Sequence, residues 1–317
     1  MAIISIVRND APSFQISRSV SNLIKFFIAI GIALCHYSAY AISFAPNKLY
    51  DAIMILSSIA GVPLFFFFSG YGLMRSEQVK HLCLWKFIKR RLMKVYLPVV
   101  LVSFIWQLFL WPRGAGIDRI PHLLYATLWG FSDGILWFVK AIMICYILFR
   151  IYTFFLQVYP KVAIIVLLVG TIIVYTLVCW LFANWAAIGI PMFALGIIIA
   201  DYNNYATKII KSHWMILIVF LLTVLFVILY AFYGNIYLKA LGNYYSISII
   251  LLMCANYSIN IELPSWLGDI SYDIYITHNK IINGLKSIYA YLGFGRFFIF
   301  SALAAILLYL IRKIIKI

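Results

Sequence analysis

Apolar windows long enough to cross a bilayer follow one another along the whole sequence, near 22–42, 52–73, 92–111, 134–151, 162–182, 186–200, 213–233, 241–257, 267–287 and 296–315. A membrane-crossing helix takes roughly 20 apolar residues. In hydrocarbon only helices and closed barrels satisfy their own backbone, and these windows are too long for barrel strands. The expectation is an all-α polytopic membrane protein, a bundle of about ten transmembrane helices. Residues 1–317 should form a single transmembrane domain with no appended soluble domain. Composition agrees: 66% of residues are hydrophobic and only 11% charged, which excludes a soluble enzyme and a disordered chain.

An even number of spans places both termini on one side, and the charges say which. Arg8 and Arg18 precede the first window and Lys25 lies in its first turn, Arg312, Lys313 and Lys316 close the last, and the expected loop 75–94 carries seven basic residues against Glu77 alone. Basic residues hold loops on the cytoplasmic side, so both termini are expected to be cytoplasmic. The net charge of +16 then reflects orientation and contact with anionic lipid rather than nucleic acid. The five cysteines form no CxxC, four lie in apolar runs, and they read as small hydrophobes. No histidine has metal-site spacing, and no metal is expected.

Polar groups inside such windows are costly and point to function. His36 stands about six residues, roughly 9 Å, before the outer end of the first window. Lys25 lies near its face, eleven positions earlier. A second constellation lies in the ninth window, where Ser271, Tyr275 and His278 share a face, with Asp269 and Asp273 largely across the helix. Each histidine suits either a chemical role or a hydrogen bond between helices. Val62 to Tyr71 runs Val-Pro-Leu-Phe-Phe-Phe-Phe-Ser-Gly-Tyr, in which Pro63 can kink the helix and Ser69-Gly70 permits close helix approach. Arg75, Arg90, Arg91 and Lys94 offer phosphate partners at the membrane surface, or act only as anchors. Asp133 and Trp137, at the outer side of the fourth window, are candidate substrate contacts, Trp137 serving equally well as an interface anchor.

Together these patches resemble the membrane-bound acyltransferase-3 family. Lys25 through His36-Tyr37 resembles its first helix, and Val62 to Tyr71 its aromatic helix ending in Ser-Gly-Phe/Tyr. Arg91-x-x-Lys94 before Tyr96-Leu97-Pro98 is similar to its Arg-x-x-Arg start, with lysine in place of the second arginine. Leu136-Trp137-Phe138 and Leu267-Gly268 with Ser271, Tyr272, Tyr275 and His278 match the remaining landmarks, while Asp273 stands where a small residue is usual.

The resemblance implies acyl transfer, usually of acetyl, from acyl-CoA to a sugar hydroxyl on a lipid-linked or exported surface polysaccharide in the bacterial cytoplasmic membrane. Lys25, Ser69, Arg75, Arg90, Arg91 and Lys94 are the candidate donor-binding residues, His36 and His278 the catalytic ones, and Asp133, Trp137, Ser271 and Tyr275 the acceptor contacts. Membrane lipids and other envelope polysaccharide assembly proteins are the expected further partners. The rival expectation is a transporter or flippase of a glycan or lipid precursor, since Gly189-Ile190-Pro191 opens a short window as in discontinuous transporter helices.

Overall fold

The computed structural model describes residues 4–8, 15–44, 47–59, 61–81, 83–110, 137–204, 207, 213–234, 236–261, 264, 266–285, 288–289 and 292–315. Its helices are α1 (Arg18–Ile42), α2 (Lys48–Ile59), α3 (Val62–Lys80), α4 (Leu84–Arg91), α5 (Leu97–Leu110), α6 (Trp137–Val158), α7 (Pro160–Leu181), α8 (Asn184–Ala187), α9 (Ile190–Asp201), α10 (His213–Tyr233), α11 (Ile236–Asn256), α12 (Trp266–Leu285) and α13 (Phe294–Ile314). Among the described residues, five helical runs are long and apolar enough to cross a membrane: α1, Leu84–Leu108, α6, α7 and α13. This is a polytopic helical membrane protein. Helices occupy the other expected windows too: the second is broken at Gly61, α9 is short, α10 and α11 run for 21 residues each, and α12 carries Asp269, Asp273 and Lys280.

Three local features depart from the expectations above. The window 52–73 is not one helix: the chain breaks at Gly61, between α2 and α3, and Pro63 sits in the first turn of α3, where its missing N–H is harmless. The expected basic loop 75–94 is mostly helix. α3 continues to Lys80, ends on His81 in the left-handed region (φ 35°), and the chain re-enters helix at Leu84. No glycine or proline separates Tyr71 from Lys80 except the tolerated Gly72. Finally, two short strands stand in an otherwise helical chain: directly after α11, Tyr257–Ile261 (β2) pairs antiparallel with Ile4–Arg8 (β1), from Ile4 opposite Ile261 to Arg8 opposite Tyr257.

The core is built around α3. All four phenylalanines of its aromatic run are buried, so the run is a packing wall rather than a lipid-facing one. α9 lies directly against α3 through two glycines: a Cβ on Gly70 would strike the Phe193 carbonyl, and one on Gly196 the Phe67 carbonyl. Small residues let the backbones touch, the usual device for helix contact where hydrophobic burial gives no advantage over lipid. α1 rests on α12, and α12 on α13. Cys145 and Cys254 are buried, Cys35 and Cys179 half-buried and Cys83 exposed, all with free thiols.

Candidate active site

α1 and α12 run side by side in the same direction. Near their starts, a Cβ on Gly268 would collide with the Asn22 side chain. Further along, the rings of His36 and His278 come within 5.2 Å, centroid to centroid, inclined at 55°. His278 is completely buried, and its Nδ1 stands 3.0 Å from the Ile274 carbonyl oxygen. A carbonyl can only accept, so Nδ1 carries the proton and Nε2 is left with a lone pair. Among the described residues that buried Nε2 has no hydrogen-bond partner. His36 differs: its side chain is exposed, so one member of the pair can be reached from outside and the other cannot.

An aromatic wall adjoins the pair. The Tyr275 ring lies 6.0 Å from His278, 5.9 Å from Phe65 and 5.3 Å from Phe138. Phe66 packs edge-on to Phe138 at 5.0 Å and lies 6.5 Å from Trp137. One turn along α3 from Phe65, the Phe68 ring receives the Lys25 ammonium at 5.7 Å. α3 thus leads from the histidines back to Lys25, which precedes His36 by eleven residues, roughly 16 Å of helix.

Lys25 belongs to a basic cluster. Arg18, Arg91 and Asp269 are the charges that act on it. Arg91 lies 5.4 Å from the Phe87 ring and 5.3 Å from Tyr146, while Arg150 approaches Phe87 at 5.2 Å. Ser69 and Arg91 both lie beside the Tyr146 side chain, and Arg150 pairs with Glu77 at 3.3 Å. Phe87 is the one buried residue of the strongly amphipathic α4, and it anchors that helix so that Arg91 turns inward. The π-helical turn Leu92–Tyr96 follows, and its Val95 carbonyl accepts the Tyr272 hydroxyl at 2.5 Å, tying the basic segment to α12.

Of the six expected donor-binding residues, Lys25, Ser69 and Arg91 therefore come together. Arg75, Arg90 and Lys94 do not join them. Arg75 bonds Gln78 at 2.9 Å beside a separate polar cavity of about 280 Å³ that also holds Asp201, and Arg90 and Lys94 are exposed. Arg91, four residues after Phe87, shares its face, whereas Lys94 lies in the π-helical turn Leu92–Tyr96, which breaks the α-helical repeat. Of the acceptor candidates, Tyr275 and Trp137 lie on the aromatic wall. Ser271 is buried, with its hydroxyl committed to the Gly268 carbonyl at 2.7 Å. Asp133 lies outside the described residues.

Sequence reasoning missed Tyr146, whose phenol is one of many in aromatic helices, and Arg150, one basic residue at the end of the fourth window. It also missed the partnership of Asp273 with Arg312, which read as an orientation charge. The unusual carboxylate at 273 was the available signal. Among the described residues no group of three His, Cys, Asp or Glu side chains gathers as a metal site.

A histidine pair and a basic cluster set along shared membrane helices define a polytopic membrane protein with an internal polar site. The model of the acyltransferase-3 family, an acyltransferase domain, matches residues 20–313, and the chain belongs to that family. Comparison with curated proteins and with solved structures finds no match.

Proposed function

We propose that this protein transfers an acyl group, acetyl above all, from acyl-CoA to a sugar hydroxyl of a lipid-linked or exported surface polysaccharide, in the bacterial cytoplasmic membrane with both termini cytoplasmic. Family membership supports acyl transfer. The observation that carries the mechanism is the His36–His278 pair, one ring accessible and the other buried with its proton held on Nδ1.

In this reading the donor's phosphates meet Lys25 and Arg91 at the basic end, and the pantetheine arm lies along Phe68 and Phe65 toward the histidines. His36 faces the acceptor and takes the proton from its hydroxyl. The hydroxyl oxygen attacks the thioester carbonyl carbon, the carbon–sulfur bond breaks, and the CoA thiolate leaves and recovers the proton. As His36 becomes positively charged, its second N–H can donate to the free Nε2 of His278, which stabilises the imidazolium as the third member of a triad does. Tyr275 and Trp137 give the sugar an aromatic surface.

The test uses purified protein in proteoliposomes, with radiolabelled acetyl-CoA and isolated cell-surface glycan. Label transferred by the wild type and lost in His36→Ala supports the assignment. Movement of glycan across the membrane with no label transfer would instead establish the transporter reading.

A further inference from the structure

The polar cavity of about 280 Å³ beside Arg75 takes no part in the transfer chemistry above. Gln15, Arg75, Gln78, Asp201, Asn203 and Asn204 line it, brought there by the segment before α1, the last turns of α3 and the end of α9. Gly70 and Gly196 hold α3 and α9 in backbone contact, which is why the two helix ends share one cavity. Arg75 and Asp201 both line it without pairing. Arg75 donates to the neutral Gln78 side chain at 2.9 Å, and Gln78 in turn donates to the Ala200 carbonyl at 3.3 Å. Asp201 accepts the Tyr152 hydroxyl at 2.5 Å. The guanidinium is thus held by an amide, and among the described residues no carboxylate neutralises it.

We propose that this cavity holds the adenosine and ribose phosphate of the acyl-CoA donor, an inference that rests on acyl-CoA being the donor. The position fits. Phe65 against Tyr275, Phe68 under the Lys25 ammonium, and Arg75 follow one another along α3. Arg75 stands seven residues, roughly 10.5 Å, beyond Phe68. CoA carries its parts in the same order: thioester and pantetheine arm, diphosphate, then adenosine with its additional phosphate. Ile16, next to Gln15, donates its N–H to the Tyr71 hydroxyl at 3.2 Å and so joins the cavity to the stretch between Phe68 and Arg75. The lining fits as well. Gln78 takes one N–H of the guanidinium and leaves others for charge-assisted hydrogen bonds to a phosphate. A carboxylate such as Asp201 accepts from a nucleoside hydroxyl or amine. Amide side chains, which both donate and accept, match the edges of a base. A lipid headgroup shares the phosphate but has no base, and this largely polar lining offers no path for a lipid tail.

Isothermal titration of the purified whole protein with CoA and with dephospho-CoA, which lacks only the ribose phosphate, tests the assignment. The wild type should bind CoA about 10- to 100-fold more tightly, the worth of charge-assisted hydrogen bonds to one phosphate. Arg75→Gln should weaken CoA by that factor and leave dephospho-CoA within about twofold, which abolishes the preference. Arg75→Lys, which keeps the charge without the planar fork, should lose part of the preference and stands in if thermal unfolding shows that Arg75→Gln does not fold. Asp201→Asn, which still accepts the Tyr152 hydroxyl, should weaken both ligands by the same factor, since the nucleoside is common to the two. Lys80→Gln removes an exposed charge from the same end of α3 and should change neither ligand by more than about twofold. Equal binding of the two ligands by the wild type, or a preference for CoA that survives in Arg75→Gln or vanishes in Lys80→Gln, overturns the subsite and leaves the donor intact. A wild type that binds neither ligand overturns the acyl-CoA donor itself, and the subsite with it.

Discussion

Arg312, in the last turn of α13, places its Nη1 2.5 Å from Oδ1 of Asp273, 39 residues earlier and completely buried on α12. The pair joins the C-terminal helix to the helix that bears His278, five residues beyond Asp273. Removing one member of a buried ion pair strands the other charge and costs about 3–5 kcal/mol, whereas replacing both by apolar side chains is close to neutral. Arg312→Leu should therefore lower thermal stability sharply, and Asp273→Leu combined with Arg312→Leu should recover most of the loss. Unfolding in detergent, followed by tryptophan fluorescence, measures this, and a double variant no better than the single would contradict it.

The histidines should act as one unit. His36→Ala and His278→Ala are each expected to lower acyl transfer about 100-fold to 10,000-fold, the range of general acid–base catalysis. The double variant should be little worse than either single, because groups serving one proton transfer are not additive. Binding of acyl-CoA, followed by isothermal titration, should change little in all three, and a multiplied loss in the double variant would separate their roles.

Donor affinity should depend on direction rather than on charge alone. Loss of a charge-assisted hydrogen bond costs roughly 1.5–3 kcal/mol, or about a 10- to 100-fold rise in KM for acyl-CoA, and this is expected for Lys25→Ala and Arg91→Ala. Arg90→Ala and Lys94→Ala, whose side chains are exposed, should stay within about twofold, exposed charges contributing little. Equal effects from all four would mean the basic segment acts only through its field.

Two glycines on one helix should respond oppositely. Gly70→Ala drives a methyl into the Phe193 carbonyl and should destabilise by about 1–3 kcal/mol as α9 is pushed off α3. At Gly72 an added Cβ meets nothing within 4 Å, so Gly72→Ala should be neutral or gain up to about 1 kcal/mol of helix propensity. Melting temperatures of the two variants check the contrast.

Much of the site is legible in the amino-acid sequence. His36 and His278 stand out because a polar group in an apolar window must have a reason, and the helical repeat places Tyr275 on the face of His278. Ser69-Gly70 is readable as a place of close approach, though the partner it meets is not. Arg90, Arg91 and Lys94 are indistinguishable there, because which of them turns inward depends on where Phe87 docks. Arg312 resembles any other basic residue at a helix end.

The sequence alone determined that the chain is helical and membrane-embedded, since two-thirds apolar composition in long windows admits little else, and it singled out both histidines. The tertiary structure alone decided that those histidines meet, that Arg91 rather than its neighbours joins Lys25, and that Arg312 neutralises Asp273. Helical periodicity acts over a few residues and is written in the chain. Pairings across 39 or more residues follow from how helices dock, and that rests on packing at points such as Gly70 and Phe193 that no local pattern records.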